Sequence, residues 1–309
     1  MFLLIPLLAL ASPPQEPIMY GPVSHRALGR IAINNLSFVT TMMNQLLIEH
    51  PDDPNVLGML GAINSRKGSF QVADELLTRS SGSPFYEAQG LYFHGLTLYE
   101  LGEYDGALRC FRELLLFKDL TRVREYMAHK GIINTLRAQG RFDDALDAVD
   151  DALAVLSNAG MYVSRAEIYL DVGDTESAEQ ELLFAEWCSP WRNPEAVYTR
   201  ARLLTMEGNL DEAEALLSEN RRPNKAMPYF WFQLGELQLL RDELYASEHI
   251  LNMIRLTNNE VPEKRVLRAR HLSAIGDRAA ALSVLEEGLM ELPHHPLYHQ
   301  LASELGVDP

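Results

Sequence analysis

The feature that most constrains what this chain can fold into is a spacing. Asn34, Gly68, Gly102, Gly140, Gly173, Gly208, Asp242 and Gly276 follow one another at intervals of 34, 34, 38, 33, 35, 34 and 34 residues. Each of these residue types tolerates the left-handed or turn backbone that a tight corner between two helices requires. Five residues after each marker stands Val39, Ala73, Ala107, Ala145, Ala178, Ala213, Ser247 or Ala281. Seven before each stands Ala27, Gly61, Gly95, Ile133, Ala166, Ala201, Gly235 or Ala269. Small side chains on both sides of a turn predict two antiparallel helices that cross closely, each giving way where the backbones approach.

Two residues after the marker a large apolar group opens the second helix: Leu36, Phe70, Tyr104, Phe142, Leu210 or Leu244, with Thr175 and Arg278 as departures. Further apolar residues follow at helical spacing, as in Ala178, Leu182 and Ala185 or Ala213 and Leu217, so one stripe of each helix is predicted to be buried. Period-two alternation and Asn-Gly or Asp-Gly hairpins between apolar runs are nearly absent, which argues against strands. The 38-residue interval carries four extra residues around Phe117 to Leu120, and Ile133 stands where a small residue is expected, with Gly131 close by. A lengthened or irregular connection is predicted there.

A helix–turn–helix period of about 34 residues with this Gly, aromatic and Ala arrangement resembles the tetratricopeptide repeat. The resemblance covers about residues 20 to 293 in eight units. It implies an all-α fold: a right-handed superhelical α-solenoid of helical hairpins, with an inner groove lined by the first helix of each pair. One hairpin cannot bury its apolar stripe alone, so each copy covers the next and the last copy needs a lid. Residues 294–309 supply a capping helix, with Pro296 as its start and Gly306 as its stop. Leu297, Leu301 and Leu305 are expected on its buried face, over Leu282, Leu285 and Leu289, with Gln300, Ser303 and Glu304 in water.

The remaining residues, 1–19, differ in kind. MFLLIPLLALA is uninterruptedly apolar and ends in the small-x-small pattern of a signal-peptidase site at Ala9 and Ala11. It is too short to span a bilayer, which takes about 20 residues. The SPPQEP that follows cannot continue a helix. No Lys or Arg precedes the apolar run, so an uncleaved N-terminus is the alternative to export. The net charge of −16, from 43 acidic and 27 basic residues, argues against a general nucleic-acid binder and against a peripheral binder of anionic membrane. Cys110 and Cys188 fall more than two repeats apart. At 8–10 Å per packed helix they lie well beyond the ~7 Å that a disulfide spans, and are expected to be free, buried hydrophobes.

No Walker loop, Gly-x-Gly-x-x-Gly, His-Glu-x-x-His or Cys-x-x-Cys occurs in the sequence. His295 and His299 are four apart, but Pro296 puts His295 at a helix boundary, so His294, His295 and His299 are read as a solvent-facing cap and not as a metal site. Arg165, Arg200 and Arg268, with Arg26, each precede the small residue of a first helix and are expected to pair locally with acids. Neither catalytic nor metal residues nor a cofactor are assigned.

The resemblance places candidate partner-binding residues on the inner helices: Tyr92, Lys130, Asn134, Arg137, Tyr198, Arg202, Tyr229 and Phe232. Lys130 and Asn134 match the first element of the carboxylate clamp by which some tetratricopeptide proteins hold chaperone C-termini. Ser164, Glu195 and Thr199 stand where its later elements belong, so the clamp is incomplete. Tyr198 with Arg202, and Phe232 with Glu236, share i,i+4 spacing. The three tryptophans, Trp187, Trp191 and Trp231, are expected mostly to fill the core. What the resemblance implies is a non-catalytic scaffold that holds a protein or peptide of mixed polarity, exported and serving envelope assembly. An intracellular adaptor and an enzyme whose site no motif reveals are the other readings. No nucleic acid, membrane insertion or small-molecule substrate is expected.

Overall fold

The computed structural model describes residues 50–118, 120–156, 158–188, 194–220, 228–255 and 262–308, with some positions between 41 and 48. Residues 1–19, most of the first repeat with its Asn34 turn, Ala27, Leu36 and Val39, and also Arg26 and Trp191, lie outside the described residues. Among these every regular element is a helix. In chain order they are α1 (Pro54–Lys67), α2 (Phe70–Arg79), a π-helix (Tyr86–Gly90), α3 (Leu91–Glu100), α4 (Tyr104–Leu115), α5 (Arg122–Ala138) and α6 (Phe142–Val155). Then come α7 (Ala159–Asp171), α8 (Thr175–Cys188), α9 (Pro194–Met206), α10 (Leu210–Glu219), α11 (Pro228–Leu240), α12 (Leu244–Arg255), α13 (Pro262–Ala274), α14 (Arg278–Glu291) and α15 (Pro296–Glu304).

The markers sit at the turns. Gly68, Gly102, Gly140, Gly173, Gly208 and Gly276 have φ between +70° and +88°, and Asp242 is the one described non-glycine residue with positive φ, at +60°. Gly68, Gly140, Gly173, Gly208, Asp242 and Gly276 each close the first helix of a hairpin, with the next amide reaching back over the helix end, as from Arg141 to the Leu136 carbonyl (3.0 Å) and from Asp174 to that of Tyr169 (2.8 Å). Five residues on, Ala73, Ala107, Ala145, Ala178, Ala213, Ser247 and Ala281 are all fully buried, at 0% exposure. Their counterparts on the first helices are equally close. A Cβ on Gly61 would come within 2.7 Å of Leu77, and one on Gly235 would collide with Leu267.

The long interval resolves as a repacking. Ile133 is fully buried, and Gly131 takes over the close approach: a Cβ there would lie 2.6 Å from the Phe111 ring. α5 is 17 residues long and starts only after the stretch from Leu116 to Thr121, whose Thr121 hydroxyl accepts from the Arg124 amide (3.4 Å).

The chain forms two compact units, Met1–Leu98 and Tyr99–Pro309. In the first, α1 packs on α2 over a core that includes Met43, Leu60, Ile63 and Phe85. In the second, the hairpins α5–α6, α7–α8, α9–α10, α11–α12 and α13–α14 stack in sequence, and α15 lies against α13 and α14. Tyr298, Leu301, Ala302 and Leu305 form the buried face of α15, with Leu297 half-exposed at its edge, and the Tyr298 ring fills the space left by Gly288. Arg278, a departure from the repeat pattern, donates from its guanidinium to the Leu305 carbonyl and so caps the lid helix.

Three expectations are corrected. His295 is buried and not solvent-facing, because its Nδ1 accepts from the Leu297 amide (3.3 Å) as the N-cap of α15. Cys110 is buried and free as expected, but Cys188, also free, is exposed at the end of α8. Trp231 is core, whereas Trp187 is 84% exposed.

Candidate functional site: the inner helices

The first helices of the Tyr99–Pro309 unit bring most of the candidate residues together, and turn their charges on one another. Lys130 of α5 reaches across α7 to Glu195 of α9 at 2.5 Å, and the Tyr126 hydroxyl donates to the same carboxylate (3.2 Å). Gly160, at the start of α7, makes this reach possible: any Cβ there would collide with the Tyr126 ring. Arg137 donates from Nη1 to Glu167 (2.6 Å) and Asn134 (3.4 Å), and from Nε to Asp171 (2.8 Å). Asp171 also takes Arg202 at 2.8 Å. The Thr199 hydroxyl donates to Glu167 (3.4 Å) and to the Glu195 carbonyl (3.0 Å).

Further along, Arg270 pairs with Glu236 and grips Glu304 of the lid through Nε and Nη2 (2.8 and 2.6 Å). Glu304 thus continues the register of Glu236 and Arg270, at the same 34-residue step. Burial pushes the Glu236 carboxyl above its ordinary range, and the Arg270 guanidinium opposes that shift.

The apolar candidates are placed differently. Tyr198 is buried (3% exposed) in a core with Val197, Ala201 and Phe230, so it does not share the face of Arg202. Four residues on a helix rotate the side chain by about 40°, and here that rotation carries it from core to inner face. Phe232 is half-buried at the edge of the same core. Tyr229 lies in α11, but its side chain is outside the described residues. Tyr92 is half-buried in the Met1–Leu98 unit, edge-on to Phe93 at 5.5 Å between ring centres. Arg165 and Arg200 pair locally: Arg165 with Asp150 and Glu181, Arg200 with Glu179 and Glu186 (2.8 and 3.0 Å), whereas Arg268 is exposed.

Two arrangements had no signal in the sequence. In the Met1–Leu98 unit, His94 stands between Tyr86 on the π-helix and Asp74 on α2. Its Nδ1 lies 2.6 Å from the Tyr86 hydroxyl and its Nε2 2.9 Å from Asp74. In the neutral ring, Nε2–H donates to the carboxylate and Nδ1 accepts from the phenol, so all three polar groups are satisfied. On α8, Leu183, Phe184 and Trp187 form an exposed apolar strip, with Tyr162 stacked on Phe184 at 5.9 Å. No grouping of three His, Cys, Asp or Glu suited to a metal ion occurs among the described residues.

Stacked hairpins with a glycine or Asp242 at each turn and an alanine or Ser247 at each crossing define an α-solenoid, the class of protein built to present a long face to a partner. Tetratricopeptide-repeat models match residues 92–154, 130–186 and 194–219. Residues 92–186 and 194–219 are thus tetratricopeptide repeats. No curated protein matches it. Among solved structures, the APC/C hetero-tetramer Cut9–Hcn1 is 15% identical over 92% of this chain and 55% of that one, with a TM-score of 0.51. This chain thus spans about half the length of that protein, and the likeness is one of fold. A tetratricopeptide repeat protein from Parabacteroides merdae (14% identity, 91% of this chain, 96% of that one) and yeast Tom70 (15%, 98% and 83%) each give a TM-score of 0.44.

Proposed function

We propose that the protein is a non-catalytic scaffold that binds a peptide or partner domain of mixed polarity along the inner faces of α5, α7 and α9. The observation that carries this reading is the ladder of inner-face charges paired across successive hairpins, from Lys130 and Glu195 to Arg137, Asp171 and Arg202. These groups are half-buried and held in place, so a partner's carboxylate or guanidinium exchanges with an internal one without new ordering of long side chains. Phe232 at the edge of the core offers the apolar anchor beside them.

The test is an affinity capture from the source cell with the partner identified by mass spectrometry, followed by Arg202→Ala combined with Phe232→Ala. A loss of about 2 kcal/mol or more in affinity, with helicity unchanged, is the expected outcome. Unchanged affinity moves the site to another surface, with the α8 strip around Trp187 next in line. We further propose, from the apolar stretch at residues 2–11, that the chain is exported and acts in envelope assembly. N-terminal sequencing of the native protein separates this from an intracellular adaptor. Among the described residues no helix is long and apolar enough to cross a membrane.

A further inference from the structure

The Tyr99–Pro309 unit touches itself at its two ends. Gly102, at the first hairpin turn of the unit, meets the loop that leads into α15: a Cβ on Gly102 would lie 2.5 Å from the His294 Cβ and 3.0 Å from the His294 carbonyl oxygen. The equivalent turn glycines Gly140, Gly173, Gly208 and Gly276 have nothing within 4 Å of that position. Next to this contact His295 directs Nε2 at Glu100, 3.4 Å away, while its Nδ1 is engaged as the N-cap of α15. The lid is therefore seated on two surfaces at once, the last hairpin beneath it and the first turn of the unit beside it.

We propose that the His294–His295 turn is a releasable clasp. Closed, it holds the two ends of the unit together and fixes the curvature of the inner helices; released, it lets the stack uncoil and widens the inner face. A stack of hairpins is held mainly by neighbour contacts, each free to hinge slightly, so one contact between its ends restrains the whole curve. That contact is small: one glycine surface and one histidine–carboxylate contact, against the continuous apolar seams between hairpins. Small contacts open at lower free energy than cores do. The clasp bears on binding only through the inner-face reading above, but its opening is measured without any partner.

The turn series supplies its own control. Asp242 shows that a non-glycine residue is tolerated at this turn position with positive φ, and Asn adopts that backbone readily. Gly102→Asn and Gly140→Asn in the full chain therefore carry similar backbone costs, but only the first displaces His294. Hydrogen exchange and small-angle scattering read the result. Gly102→Asn should raise exchange about tenfold at the amides of both position 102 and His295, and increase the radius of gyration, with helicity retained. Gly140→Asn should do neither. Glu100→Gln, which leaves every turn intact, should give a smaller rise at the same two places. Equal behaviour of the two Asn variants, or exchange at the His295 end unmoved by both Gly102→Asn and Glu100→Gln, overturns the clasp. Should Gly102→Asn fail to fold, Glu100→Gln alone decides.

Discussion

At the scale of single residues, the positions that admit least change are the crossing alanines. Ala178 and Ala213 are wholly buried where the two helices of a hairpin meet. A leucine at either adds three carbons where no space exists, and overpacking of this kind costs about 1–3 kcal/mol. Ala178→Leu and Ala213→Leu should each lower the melting temperature by several degrees, and an unchanged value in both would refute the placement. These residues were legible because steric exclusion writes directly into residue type: nothing larger fits, so Ala, Gly or Ser recurs at a fixed distance from the turn. Tyr198, Trp187 and His295 were not legible for the opposite reason. Each is large and amphipathic, and a shift of one helical position decides between core and surface. Tyr198 falls on the core side with Val197 and Ala201, Trp187 falls outside, and His295 is drawn in because its ring nitrogen caps a helix. The pairing of Asp74, His94 and Tyr86 had still less signal, since it joins residues on three separate elements.

At the scale of elements, the hairpin and its lid followed from turn spacing, because a buried stripe at an open end must be covered by something. What spacing could not supply was how the lid is attached. It is held by Tyr298 over Gly288, by the two-toothed grip of Arg270 on Glu304, and by Arg278 on the Leu305 carbonyl. Deleting residues 294–309 removes all three and bares Val284 and Leu285 on α14, both buried in the intact chain. Exposed apolar surface of this kind promotes association. We expect fraying of α13 and α14 with some aggregation, a rise in exchange at Gly102 from the lost clasp, and unchanged protection in α7 and α8. Loss of protection spread evenly over every hairpin would contradict this local account and mark the array as a single cooperative block.

At the scale of the whole molecule, an excess of 43 acidic over 27 basic residues leaves two carboxylates from distant parts of the sequence facing one another where the end of α3 and α13 converge. Glu263, in the first turn of α13, is one of the pair. Burial pushes its carboxyl above the ordinary 4.5, and the charge of Glu100 pushes it further the same way. The titratable groups set around this site are Glu100, His295, Tyr99 and Tyr298; the Tyr99 phenol is itself raised, by burial first and then by Glu100. The sign follows from linkage. A carboxyl that holds its proton more tightly when folded gives its full contribution below the unfolded value near 4.5 and loses it as pH climbs through the raised folded value. Exposed Asp174, lowered by its hydrogen bond with Ser177, has the opposite sense, losing its contribution on acidification. Glu263→Gln isolates the first effect, since the amide mimics the protonated acid and cannot ionise. Urea midpoints taken upward from about pH 4.5 should show the variant gaining on the wild type as pH rises, the gain levelling off once pH passes the raised folded value. The gain should shrink when Glu100→Gln is added, because the second carboxylate is part of its cause. Parallel curves for wild type and Glu263→Gln would mean that Glu263 is ionised and well solvated in the folded chain, and that the ends of the unit meet without trapping an acid between them.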